Sequence, residues 1–226
     1  MVGIVKQFAP TLGDLLKYEF QHYTYTREAV TFAMGTTYPL GQIVAKVTVD
    51  PSAVTVTPGT NTGTGTFTAD ATTPVLPGAI PGDYTVVCNE VVANAGQFSV
   101  YDPTGKLLGE VSVGKTWASQ IKFAIADGAT DFAVGDSFKV TVAAGSEKYV
   151  RCKATQQADG SGTVAGVVVI GVDATSADKA GVILARGPAL LADAALLYDA
   201  SVTTDAQKAA QRAALAAMGI VVRTTA

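Results

Sequence analysis

Short runs of β-branched and aromatic residues, each soon closed by glycine, proline or an Asp–Gly pair, recur along this chain and confine it to strands and turns. The run Gln42-Ile43-Val44-Ala45-Lys46-Val47-Thr48-Val49 is one strand, preceded by another at Val30-Thr31-Phe32-Ala33. Residues 50–81 are dense with breakers, among them Asp50-Pro51, Pro58-Gly59 and Pro77-Gly78, and read as a long connection with short strands that enters a separate unit. The stretch 83–143 reads as a β-meander, with strands over 84–92, 97–101, 107–113, 121–126 and 137–142. Asp102-Pro103-Thr104-Gly105 places proline second and glycine fourth, as a type I turn prefers. Strands this short and this closely spaced point to a small sandwich or barrel.

The last third repeats the pattern and then departs from it. Strands are expected over 148–154, 166–172 and 182–185, with a loop at 158–162; the middle strand is apolar enough to be fully buried. One helix is expected, over 205–217. Thr204 and Gln207 can form a capping box, the run is rich in alanine, and Asp205 suits the positive end of the helix dipole. Gly219 is placed to stop it, and Ile220-Val221-Val222 reads as a last strand.

Composition narrows the function classes. Of 226 residues, 48% are hydrophobic and 15% charged, enough apolar material for one large or two small cores and too little charge for disorder. The net charge of −3, with Lys and Arg scattered, lacks the electrostatic footprint of a nucleic-acid binder. The first seven residues lack the apolar core of a signal peptide, and the longest aliphatic run, 167–170, is far too short for a bilayer. A soluble protein made in a cytoplasm is expected, without nucleic-acid or membrane partners. Cys88 and Cys152 read as small buried hydrophobes rather than a disulfide framework.

Chemistry-bearing patterns are few. The single histidine, His22, sits in a polar, aromatic stretch that holds a base poorly. Gly109-Glu110-Val111-Ser112-Val113-Gly114-Lys115-Thr116 matches a phosphate-binding loop letter for letter. Its interior alternates as a strand does, however, and no βα alternation surrounds it, so nucleotide binding is not expected. Asp127, Asp131, Asp136, Asp159, Asp173 and Asp178 are scattered, without a calcium-loop spacing. No cofactor, metal or catalytic residue is assigned, and no enzymatic activity is expected. The N-terminal 28 residues read instead as an arm. Leu16, Tyr18 and Phe20 alternate with Lys17 and Glu19, and Tyr23 and Tyr25 follow, an aromatic segment in need of a partner surface.

The chain resembles the lambda-type bacteriophage head decoration proteins. The likeness lies in Ala165-Gly166-Val167-Val168-Val169 with Val172-Asp173-Ala174-Thr175, in Val182-Ile183-Leu184-Ala185-Arg186-Gly187, in the closing helix with Gly219-Ile220, and in Arg27-Glu28-Ala29-Val30-Thr31 and 40–47 near the start. Residues 50–147 look like an insertion carried by longer members. The resemblance implies a mainly-β protein. Residues 1–28 form a capsid-binding arm, 29–49 with 148–226 a discontinuous core domain with one C-terminal helix, and 50–147 an inserted β domain. It further implies a homotrimer that binds the major capsid protein on the outside of the expanded shell and cements it, synthesised in the host cytoplasm and resident in the virion. Leu16, Tyr18, Phe20, Tyr23 and Tyr25 are then the shell-facing residues. The competing reading is a β-sandwich module that recognises carbohydrate or a host-cell surface.

Overall fold

The computed structural model describes residues 10–21 and 23–224. The chain is mainly β and divides into two compact units. One holds the residues up to Lys46, Lys148–Thr155 and those from Ser161 on; the other holds Val47–Glu147 and Gln156–Gly160.

The first unit is built on a closed five-stranded barrel of Tyr149–Arg151, Arg27–Phe32, Lys179–Leu184, Val164–Val168 and Ile43–Lys46, in that order. Its strands bury both faces. Ile43, Ala45, Val167 and Leu184 face one apolar cluster, whereas their neighbours Val44, Val168 and Ile183 face another. Successive side chains of a strand point to opposite sides, so burial on both sides demands an unbroken apolar run. The strand expected over 166–172 is found at Val164–Val168 and ends earlier because Ile170 turns to solvent. Val172–Ala174 forms a separate strand paired with Thr36–Tyr38.

Beside the barrel lies a three-stranded sheet in the order Leu16–Glu19, Ala189–Ala192, Ile220–Arg223. The first pair is antiparallel and the second parallel. The helix Asp205–Ala217 stands where the sequence places it. The Thr204 hydroxyl accepts from Gln207 N at 3.2 Å, and the Gln207 side chain accepts from Thr204 N at 3.0 Å. Leu215 pins the helix to the core, and Gln211 donates to the carbonyls of Cys152 and Lys153. Gly219, at φ +78°, takes the left-handed step that ends the helix and starts the last strand.

The second unit stacks a five-stranded sheet, Val49–Pro58, Ser137–Ala144, Gly82–Glu90, Gln97–Tyr101 and Leu107–Ser112, over a three-stranded one, Thr116–Ala118, Lys122–Ala126 and Thr66–Ala69. Phe67 of the small sheet meets Phe123 beside it at 4.4 Å and Phe138 of the large sheet at 5.3 Å, so both sheets share one core. Two expectations are corrected here. The supposed connection after residue 50 opens with a ten-residue strand, Val49–Pro58. It lies at the sheet edge, and its ladder skips Pro51, so proline costs no hydrogen bond there. The meander holds only from 82 to 112; the chain then crosses to the small sheet, and Ser137–Ala144 returns between the first and third strands. The chain enters and leaves the unit side by side, Gly145 N donating to Thr48 O at 3.0 Å and Glu147 N to Val47 O at 2.9 Å.

Candidate functional site

Several residues that chemistry singled out are structural. Gly109–Ser112 runs within the strand Leu107–Ser112, residues 113–115 form a turn closed by Lys115 N to Ser112 O at 3.1 Å, and Thr116 opens the next strand. This is a strand–turn–strand, which cannot aim successive N–H groups at a phosphate as a loop before a helix does. Gly109 serves packing: a Cβ there would stand 2.9 Å from the Trp117 ring. Cys88 and Cys152 are free and buried in different units. Burial, with Asp199 adding, pushes the Cys152 thiol up to about 12, which leaves it inert. Asp136 is a loop tie. Its buried carboxylate accepts from the backbone N–H groups of Thr62 at 2.9 Å, Gly63 at 2.8 Å and Ala133 at 2.9 Å. Burial pushes its pKa up, but the three donors hold it below the ordinary aspartate range. Among the described residues no three acidic, cysteine or histidine side chains gather as metal ligands, and no helix is long and apolar enough to cross a membrane. His22 lies outside the described residues.

The aromatic N-terminal segment is different. Its described residues, Leu12 to Gln21 and Tyr23 to Thr26, are built into the first unit. A short helical turn, Leu12–Leu15, buries Leu15 completely in the core, and the strand Leu16–Glu19 follows. The expected alternation of Leu16 and Tyr18 on one face fails at a bulge. Leu16 pairs with Leu191 but Tyr18 pairs with Leu190, so three residues oppose two. An extra residue reverses the facing of what precedes it. Leu16 therefore packs on the core, while Tyr18 points to solvent and is 53% exposed.

Phe20 and Tyr25 join Tyr18 on the outside, at 42% and 55% exposure. Their rings meet edge to face at 6.5 Å, and Phe20 N donates to Pro188 O at 3.2 Å. Tyr25 lies in a second helical turn, Tyr23–Thr26, where the sequence showed no helical face. The Arg186 guanidinium stands 5.7 Å from the Tyr25 ring, donates to Tyr25 O at 2.5 Å and pairs with Glu28. The side chain of Tyr23 lies outside the description.

A polar latch fixes this edge. Glu19, at the end of its strand, accepts from Arg27 Nε at 2.9 Å and from the hydroxyl of the fully buried Thr26. The guanidinium, against burial and with the Thr26 hydroxyl assisting, holds the Glu19 carboxyl below the ordinary glutamate range. Leu190 and Val221 complete the outer face of the sheet. Leu190 was not legible as a strand residue, because Ala189–Ala192 behind Gly187-Pro188 carries no β-branched residue to announce it; Val221 lies in the expected last strand, whose facing the sequence left open.

Tyr18 on the edge strand, with Phe20 and Tyr25 just after it, turns its ring to solvent. The chain belongs to the family of the bacteriophage lambda head decoration protein D, which it matches over residues 5–220. A structural role at the phage capsid comes with that family. No curated protein matches the chain. Two crystal structures of Xanthomonas campestris FlgL, in space groups C2 and H3, match at 25% and 24% identity. They cover 43% and 46% of this chain, which spans about a third of theirs (31% and 33%), and the TM-score of 0.30 in each carries no argument.

Proposed function

We propose that this protein binds the outer surface of the expanded phage shell as a trimer and cements it, with the segment from Leu16 to Tyr25 against the major capsid protein. The observation that carries the reading is the exposure of Tyr18, Phe20 and Tyr25 on one edge of the scaffold. Large aromatic side chains dominate binding energy when a partner covers them, and clusters of exposed ones mark interaction surfaces. Among the described residues, Leu16–Glu19 is also an edge strand, hydrogen-bonded only to Ala189–Ala192. Its open side offers main-chain donors and acceptors for β-augmentation by an extended segment of the shell. Leu16 contributes by anchoring the strand to the core, Tyr18, Phe20 and Tyr25 by direct contact, and Tyr23 within the same stretch. Three copies of one edge on a trimer raise avidity about 10² to 10⁴ over a single contact.

The test is co-sedimentation of the full chain with expanded, undecorated shells, with electron microscopy of the pellet and light scattering of the free protein. Tyr18→Ser combined with Phe20→Ser and Tyr25→Ser is expected to weaken binding by about two orders of magnitude. Undiminished binding refutes the assignment of this segment, and shell-bound density without threefold symmetry refutes the trimer.

A further inference from the structure

The turn that carries Tyr25 has little of its own to hold it. A four-residue helical turn such as Tyr23–Thr26 fixes several backbone dihedrals in return for few internal hydrogen bonds. Of its described side chains, Thr24 and Tyr25 are exposed, and Thr26, a polar one, is buried. Support comes instead from residues 185–188, just beyond the barrel strand Lys179–Leu184. Ala185 N donates to Thr26 O at 2.9 Å and Arg186 N to the same carbonyl at 3.3 Å, while Pro188 O accepts from Phe20 N at 3.2 Å. Within this run the Arg186 side chain reaches over the turn. Its Nη1 donates to Tyr25 O at 2.5 Å, its guanidinium stands 5.7 Å from the centre of the Tyr25 ring, and its Nη2 pairs with Glu28. Glu28 in turn sits opposite Ile183 in the barrel ladder, a rigid base for the pair. A guanidinium presents its donors in one fixed plane, so it can serve a carbonyl, a carboxylate and an aromatic face together, whereas an ammonium acts as a point charge.

We propose that Arg186 is a positioning residue for docking: it sets the Tyr23–Thr26 turn on the barrel and holds the Tyr25 ring outward in the conformation that binds. The inference rests on the capsid-binding reading and adds to it a residue 161 positions from Tyr25 that acts through Tyr25 and not by contact with the shell. An exposed side chain that is loose in the free protein must be immobilised on binding, and that ordering lowers affinity. Arg186 meets the requirement beforehand. Phe20, edge to face with Tyr25 at 6.5 Å, shares the arrangement. The Arg186 and Glu28 side chains are 40% and 39% exposed, and a pair so exposed contributes little to global stability. Its effect is local, on the turn it clamps.

The experiment compares Arg186→Gln, Arg186→Lys, Tyr25→Ser and the double variant Arg186→Gln/Tyr25→Ser, each as the full chain, in binding to expanded, undecorated shells. Urea midpoints and amide hydrogen exchange of the free proteins are measured alongside. Arg186→Gln is expected to bind about three- to tenfold more weakly, to keep a near wild-type midpoint and to exchange faster over residues 23–27. In the Tyr25→Ser background it is expected to have no further effect, since there is no ring left to position. Arg186→Lys is expected to remain as weak as Arg186→Gln; full binding by the lysine variant shows that charge alone matters and overturns the proposal. An equal loss in both backgrounds makes Arg186 a direct contact and overturns it too, as does unchanged exchange over 23–27. Wild-type affinity for Arg186→Gln beside weakened Tyr25→Ser overturns the positioning role and leaves the capsid reading standing. Wild-type affinity for Tyr25→Ser removes Tyr25 from the contact and overturns the proposal together with that part of the capsid reading. Should Arg186→Gln fail to fold, Glu28→Gln releases the base of the clamp and carries the same test: weaker binding that depends on Tyr25 supports the role, and unchanged binding removes it.

Discussion

Two carboxylates bear more on this molecule than their neighbours in sequence indicate. Asp136 closes three backbone donors from two loops of the second unit. Asp136→Ala strands those buried N–H groups and is expected to destabilise the protein on the order of 3 kcal/mol, read as a lower urea midpoint. Glu19 latches the aromatic strand to Arg27 and Thr26. Its folded pKa is depressed, so its stabilisation is complete above the ordinary glutamate value of about 4.3 and disappears as pH falls through the lower folded value. Glu19→Gln is therefore expected to cost about 1 kcal/mol at pH 7, and the difference between variant and wild type should shrink in urea titrations below the ordinary glutamate value and vanish once the carboxyl is protonated in the folded protein too. A difference that persists in acid rejects the ionic latch. Sequence alone suggested turn chemistry for Asp136 and strand alternation for Glu19; two of the three donors to Asp136, 73 and 74 positions away, and the partners of Glu19 across a helical turn were not readable.

At the scale of elements, legibility followed the range of the interactions that form each one. The closing helix is set by local signals, namely a capping box, alanine propensity and a glycine stop, and it stands at its expected residues. Thr204→Ala is expected to cost about 1 kcal/mol and Leu215→Ala about 3 kcal/mol, the first through the lost cap and the second through a cavity where the helix meets the core. Thermal melts that reverse this order would show that the cap, and not the packing, holds the helix. The strand Gln97–Tyr101 with its Asp-Pro-Thr-Gly turn was equally plain, since the Asp102 side chain itself ties the turn by accepting from Thr104 N at 2.9 Å and Lys106 N at 3.0 Å. Val49–Pro58 was missed because breakers such as Pro51 are harmless on an edge, and only the sheet order reveals which strand is the edge. The bulge at Leu16–Tyr18 was missed for a similar reason: the alternation is real, but a partner strand decides where it slips. The phosphate-loop letters mislead in the opposite direction. Lys115→Ala is expected to leave stability within about 0.5 kcal/mol, as at an ordinary surface position, and to change no nucleotide affinity in calorimetry.

For the whole molecule, the adjacency of entry and exit at Val47–Thr48 and Gly145–Glu147 makes the second unit separable in principle. Replacing residues 49–144 by a two-residue Asn-Gly turn preserves that antiparallel pair, since such turns match the twist of the flanking strands. The shortened chain is expected to fold and to bind expanded shells within a few-fold of wild type, measured by co-sedimentation. The structural cost should centre on Gln156–Gly160, which packs with the second unit; there the Asp159 carbonyl accepts from Thr48 N at 3.0 Å. Loss of folding would mean that the first unit depends on the inserted one. Removal of residues 1–26, by contrast, is expected to destabilise the protein outright. It extracts Leu15 from the core and an edge strand from the sheet, which a free arm would not do.

What the sequence determined by itself is what short-range chemistry governs: strands from β-branched runs, turns from Asp, Pro and Gly, one helix from its caps, and a family likeness borne by those patterns. Tertiary structure decided which strands share a sheet, where the bulge reverses the aromatic segment, and that Tyr18, Leu190 and Val221 stand in one row. Those outcomes depend on pairings between distant residues, 172 positions apart for Tyr18 and Leu190 and 31 for Leu190 and Val221. Hydrogen bonds between strands carry no sequence code of their own, so such a surface exists only once the chain has folded.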